Sequence, residues 1–142
     1  MVNKFLWFAL FVVIFDRISK SIVQTMDAGA SIPVIKNVLH LTYVHNTGAG
    51  FGILNNKNFL LLLFSLVVLI FVVYYFVKER NRDVKFMFII LASGIVGNVI
   101  DRISFGYVID FIDFRIWPVF NIADIAIFVS IVGLVVYEMK KT

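Results

Sequence analysis

The sequence predicts an all-α membrane protein: four transmembrane helices carrying a small β-element on the extracytoplasmic side. Three observations predict it. Apolar residues make up 61% of the 142 and charged residues only 15%, against roughly 45–50% and about 25% in a soluble domain. So few charges cannot build a water-facing surface, and lipid must cover much of the chain. The apolar residues also fall into four long stretches, with basic residues clustered beside them. A single domain covering 1–142 is expected.

The first span is expected over about 5–24: Phe5 to Phe15 is apolar, and a more polar helix continues to Gln24. Lys4, the apolar run and Ala28-Gly29-Ala30 also fit a cleavable signal peptide. Asp16, Arg17 and Lys20 interrupt that pattern and three more apolar stretches follow, so a retained helix is preferred. The second span, 59–77, is interrupted only by Ser65. At 1.5 Å per residue, ~20 residues cross a hydrocarbon core of ~30 Å. The third, 84–103, carries Gly94, Gly97, Asn98 and Asp101; the fourth, 121–137, carries Asp124. Gly94 and Gly97 would let neighbouring helices approach closely.

Orientation follows from the cations. Lys4, Lys78, Arg80, Arg82, Lys85, Lys140 and Lys141 lie on one side of a four-span chain. The positive-inside rule puts that side, with both termini, in the cytoplasm. The opposite side receives the region 25–58. There Val38 to His45 is rich in β-formers, and Asn46-Thr47-Gly48-Ala49-Gly50 supplies turn residues. The net charge of +4 reads as membrane-flanking lysine and arginine, not as a nucleic-acid surface.

Several chemistries lack their residues. There is no cysteine, which excludes disulfides, a thiolate nucleophile and Cys-ligated metal. His40 and His45 are the only histidines, and no His-Glu-x-x-His exists for zinc. Ser93-Gly94 has no histidine or lysine nearby in sequence, and Ser19-Lys20 are helix neighbours that cannot face each other. No cofactor or metal is expected.

The aspartates remain. Asp16, Asn98, Asp101, Arg102, Asp110, Asn121 and Asp124 gather near one predicted boundary, although such residues are costly in hydrocarbon. Bland readings exist for most of them. Asp16 and Lys20 are spaced to pair along one helix face. Asn121 and Asp124 fit a capping box. Asp101 beside Arg102 fits an interfacial ion pair, and Asp113 beside Arg115 a solvated loop charge without a role. Asp110 has no adjacent cation and no obvious cap.

On one straight helix Asp110 and Asp124 would stand ~21 Å apart. Trp117-Pro118 breaks any such helix, so a chain reversal there could bring both carboxylates to one site. Two close carboxylates cannot both ionise cheaply, so one keeps its proton. The ionised member can activate water against a scissile carbonyl, and the protonated member can polarise that carbonyl.

The chain resembles the lipoprotein signal peptidases (signal peptidase II) along nearly its whole length. The resemblance runs through Asp16-x-x-x-Lys20, then His45-Asn46-Thr47-Gly48-Ala49-Gly50-Phe51-Gly52, then Gly97-Asn98-x-x-Asp101-Arg102. It continues through Val108-Ile109-Asp110-Phe111 and Phe120-Asn121-x-Ala123-Asp124. It implies four transmembrane helices, an outer β-cradle, a short interfacial helix and a catalytic dyad matching Asp110 and Asp124. By position, Asn46, Asn98 and Arg102 would contact the substrate peptide, with Asp16, Lys20, Gly48, Asp101 and Asn121 supporting the site. Similar enzymes cut before the diacylglyceryl-modified cysteine of a prolipoprotein. Membrane lipid, a monomeric state and globomycin-type inhibition are expected with it. The Gly-Ala-Gly-Phe-Gly stretch departs from the family at its later positions, where alanine and serine are more familiar, and the segment between the two aspartates is compact.

Two rival readings follow from the residues alone. One is a proton-coupled transporter or channel using Asp16, Asp101 and Asp124 as a relay. The other is a noncatalytic membrane subunit whose polar residues fix helix packing.

Overall fold

Helix α3 (Arg82–Phe105) stands at the centre, with α1 (Val2–Val23), α2 (Asn58–Lys78) and α4 (Ile122–Lys141) packed against it. The computed structural model describes residues 2–49 and 54–141. Among them, α2, α3 and α4 are long and apolar enough to cross a membrane. α1 carries Lys4 at its start and Asp16, Arg17 and Lys20 within its last two turns.

α2 is apolar all round, and only Leu61 and Val72 of it are buried, so most of its surface would otherwise meet water. It stops at Glu79, whose extended backbone (ψ 144°) leaves the helix. The Glu79 carboxylate accepts the Arg80 and Asn81 N–H groups at 2.6 and 2.7 Å. Asn81 then caps α3 by accepting from Asp83 N and Val84 N. The reversal between the two helices thus satisfies its own backbone donors. α3 is the most buried helix, and glycine lets it be so: a Cβ on Gly94 would lie 2.5 Å from the Ala123 carbonyl oxygen of α4. On Gly97 it would lie 2.9 Å from Asp16 Oδ2 of α1.

Three antiparallel strands form a sheet in the order β1 (Ser31–Ile35), β2 (Leu39–Asn46), β3 (Val108–Asp113). β1 and β2 make a hairpin through Asn37, which adopts φ 61°. β3 arrives from far along the chain: α3 ends at Gly106 in the left-handed conformation (φ 82°), and the strand follows at once. Alternation then divides the side chains of β3. Ile109 and Phe111 pack with Val23 and Tyr43 under the sheet, while Asp110 and Ile112 face a cavity on the other side. Further clusters, around Leu91, Ile95 and Val99 with Val72 and around Val12, Ile90 and Ala126, join the helices.

The predicted strand Val38–His45 forms one residue later, as Leu39–Asn46. β1 and β3 carry no strand signal of their own in the sequence analysis. Each gains its partners only when β2 lies beside it. The short interfacial helix implied by the resemblance does not occur among the described residues. Gly50, Phe51 and Gly52 of the glycine-rich motif lie outside them.

Candidate active site

The chain reverses between β3 and α4 through a narrow hairpin. Ile112 N donates to Phe120 O at 2.8 Å, and Phe120 N returns a bond to Ile112 O at 3.1 Å. Arg115 (φ 66°) and Pro118 lie inside the loop so closed. The reversal brings the first turn of α4 back to the strand that carries Asp110.

Asn121 joins the two acids. As the N-cap of α4 it forms a reciprocal box: Asp124 N donates to Asn121 Oδ1 at 2.9 Å, and Asn121 N donates to Asp124 Oδ2 at 3.2 Å. Its Nδ2 reaches the other way, to Asp110 Oδ1 at 2.7 Å, and also lies near Ile109 O and Asn98 Oδ1. The second Asp110 oxygen accepts from Asn46 Nδ2 at 2.7 Å. Asn46 is held for this by an Asx turn, its Oδ1 accepting from Gly48 N at 2.9 Å. Asn98 Nδ2 donates to Asp124 Oδ1 at 2.8 Å. Burial, and then the Asp124 charge beside it, push the Asp110 carboxyl up to about 7. The bonds from Asn46 and Asn121 pull the other way. A carboxyl titrating there can hold a proton or release one near neutrality.

Behind the pair lies a buried charge cluster. Lys20 Nζ is 2.7 Å from Asp16 Oδ2 and 2.7 Å from Asp101 Oδ2, and all three side chains are wholly buried. Arg17 pairs with the other oxygen of Asp101. The two cations and two anions balance, which buried charges require. Asp16 Oδ1 also accepts Ala123 N at 3.0 Å, and Asp101 Oδ2 accepts Ile109 N at 3.2 Å. The cluster therefore ties α1, α3, α4 and β3 together beside both acids.

Asp110, Asp124, Asn46, Asn98, Gly48 and Arg102 all line one cavity of about 980 Å³. Its remaining wall is largely apolar, with Phe114, Trp117, Phe120, Ile125 and Phe128 among its residues. Arg102 lies beside the acids and pairs with no carboxylate among the described residues. It makes a long contact of 3.5 Å to Gly48 O. Among the described residues no three acidic or histidine side chains converge as metal ligands.

Every candidate residue read from the sequence thus falls in one connected region. The Asp16–Lys20 pair forms, as does the Asn121–Asp124 box, so a capping role and a place in the site coincide. Two expectations are corrected. Asp101 does not pair with Arg102: adjacent helix residues point apart, and Asp101 faces α1 while Arg102 faces the cavity. Asp113 is not a solvated loop charge. Its side chain is 7% exposed, and it accepts from Thr42 at 2.8 Å as well as pairing with Arg115 at 3.0 Å, because β3 places it against β2. Arg17 is a partner of Asp101 that the sequence does not mark as one. Its spacing of three from Lys20 puts both cations on one face of α1, a signal that carries meaning only once α3 is known to lie there.

Comparison with known proteins places the chain in one family. Residues 8–140 match the family described as signal peptidase (SPase) II. The lipoprotein signal peptidase of Halothermothrix orenii is 43% identical over 134 residues, covering 93% of this chain and 92% of that one. Its counterpart in Staphylococcus aureus strain JH9 is 38% identical, covering 94% and 86%. Two solved structures, each described as a bacterial membrane enzyme, superpose with TM-scores of 0.93 and 0.91 at 35% and 36% identity. They cover 99% and 100% of this chain, and 90% and 96% of their own. A chain matched from end to end, with its polar residues drawn around Asp110 and Asp124, belongs to the signal peptidase II family.

Proposed function

We propose that the protein is an aspartic endopeptidase that removes the signal peptide from diacylglyceryl-modified prolipoproteins, cutting before the lipidated cysteine. The observation that carries this reading is the bridge at Asn121: one residue bonds to both Asp110 and Asp124, and both acids line one largely apolar cavity. Relatives named lipoprotein signal peptidases supply the substrate class.

Hydrolysis by such a pair begins with one proton shared between the two carboxyls. The ionised member takes a proton from a water whose oxygen attacks the scissile carbonyl carbon. The protonated member passes its proton to the carbonyl oxygen, giving a gem-diol. As the C–N bond breaks, a carboxyl protonates the leaving amine, the diol returns a proton to its partner, and the pair ends with one proton again. No metal, thiol or serine enters the balance. Asn46, Asn98 and Arg102 contact the peptide backbone, and Asp16, Lys20, Gly48, Asp101 and Asn121 support the pair. The aromatic and aliphatic wall accommodates diacylglyceryl chains, which membrane lipid delivers laterally. A globomycin-type cyclic peptide would compete for the same cavity.

In this reading 1–142 is one monomeric domain with four transmembrane helices, α1 included. Asp16, Arg17 and Lys20 of α1 are compatible with a crossing because they are paired within the protein. Both termini face the cytoplasm and the sheet lies outside as the β-cradle. The decisive experiment is cleavage of a purified lipidated prolipoprotein by wild type, Asp110→Asn and Asp124→Asn. Both variants are expected to lose cleavage while remaining folded. Near-wild activity in either one would sink the dyad, and proton flux without cleavage would favour a transporter.

A further inference from the structure

We propose that Lys20 is a positioning residue of the hydrolysis, its ammonium holding both dyad aspartates in place through three separate arms. The inference rests on the peptidase reading above and concerns how the pair is kept aligned.

The ammonium has three protons and three neighbours: Asp16 Oδ2, Asp101 Oδ2 and Asn98 Oδ1, the last at 3.3 Å. Each neighbour makes a second bond, and each of those ends at the dyad or one residue before it. Asp16 accepts from Ala123 N, immediately before Asp124. Asp101 accepts from Ile109 N, immediately before Asp110. Asn98 donates to the Asp124 carboxylate itself. A lysine needed only to neutralise Asp16 would not require this convergence. Nor is Asp101 short of a counter-charge, since Arg17 pairs with it.

The Asn98 arm is the most sensitive. An amide can turn over with little change of shape, exchanging its oxygen and nitrogen. Here Lys20 and Asn121 both donate to Oδ1, so the NH2 group must face Asp124. Turned over, it would set donors against Lys20 and Asn121, and an oxygen against a carboxylate. Lys20, wholly buried, therefore acts with Asn121 to set which atom Asp124 meets.

The test removes Lys20 without stranding a charge. The pair Asp16→Asn/Lys20→Met deletes one cation and one anion and leaves Arg17–Asp101 intact. It is made alone and combined with Asn98→Ala, and steady-state cleavage of a lipidated prolipoprotein is measured in detergent, with thermal unfolding alongside. The pair is expected to lower kcat by at least about tenfold while KM stays within about twofold. Combined with Asn98→Ala, the loss should fall short of the product of the separate losses, because Asn98→Ala breaks one of the three arms that the loss of Lys20 already releases. An unchanged kcat, or losses that simply multiply, would overturn the proposal. Should the Met pair not purify as folded enzyme, Asp16→Asn/Lys20→Gln takes its place in the same cycle and the same coupling decides. Asp110→Asn and Asp124→Asn run in parallel: activity in those variants refutes the dyad, whereas multiplying losses beside an essential dyad refute only the role of Lys20.

Discussion

Asn121 Nδ2 lies 2.7 Å from Asp110 Oδ1, while the backbone N–H and side-chain oxygen of the same residue bond to Asp124. Cap and bridge are separable by substitution. Asn121→Ser keeps a capping oxygen but cannot reach Asp110, whereas Asn121→Ala loses both. Both lose the buried Nδ2 bonds and should be less stable than wild type, Ala by ~1 kcal/mol more than Ser because it also loses the cap. Both should reduce cleavage by at least about tenfold. Activity that followed stability instead of the bridge would count against a joint role.

The Asp110 carboxyl, raised to about 7 by burial and by the Asp124 charge, sets an expectation for pH. Cleavage requires one proton on the pair, so activity should fall as pH rises through that value and the last proton leaves. The bond from Asn46 Nδ2 favours the ionised form of Asp110. Removing it in Asn46→Ala should make the proton harder to lose and move the alkaline limb to higher pH. A limb that stayed put, or moved lower, would contradict this assignment.

The contact of α3 with α4 offers a test of packing. Gly94→Ala brings a Cβ within 2.5 Å of the Ala123 carbonyl oxygen, and a backbone atom cannot step aside. Overpacking of this kind costs ~1–3 kcal/mol, and it displaces the turn that carries Asp124, so cleavage should fall with stability. Gly133→Ala meets Met87 Sδ at 2.7 Å, a flexible side chain that can move. It should be tolerated. Equal effects at the two sites would mean that the helix contact is softer than the geometry indicates.

Topology can be read with thiol chemistry, because the chain has no cysteine of its own. In intact cells or sealed right-side-out vesicles, a membrane-impermeant maleimide should label Lys36→Cys. Lys140→Cys should react only after the membrane is opened. The reverse pattern would invert the proposed orientation, and labelling of both from outside would remove one of the four crossings.

Much of the candidate site is legible in the sequence. A charge in a long apolar stretch is conspicuous, and Asp16, Lys20, Asn98, Asp101, Arg102, Asp110, Asn121 and Asp124 all enter the connected region. Pairings within one helix were legible too, because helix geometry relates Asp16 to Lys20, and Asn121 to Asp124, at fixed spacing. What escaped were relations between segments. Asp113 looked solvated because its loop carries an adjacent arginine. The strand that buries it exists only through β2, whose register partners lie some seventy positions earlier. β1 escaped for the same reason.

By itself the chain's order of residues determined a lipid-covered helical protein and the inventory of its chemistry, because composition and periodicity are local properties that need no partner to express them. It left open whether Asp110 and Asp124 meet. Only the tertiary structure decided that, through the hairpin closed by Ile112 and Phe120, the glycine-lined approach of α3 to α4, and the cluster around Lys20. Each depends on backbones distant in sequence coming within hydrogen-bond reach, and no spacing along a chain specifies that.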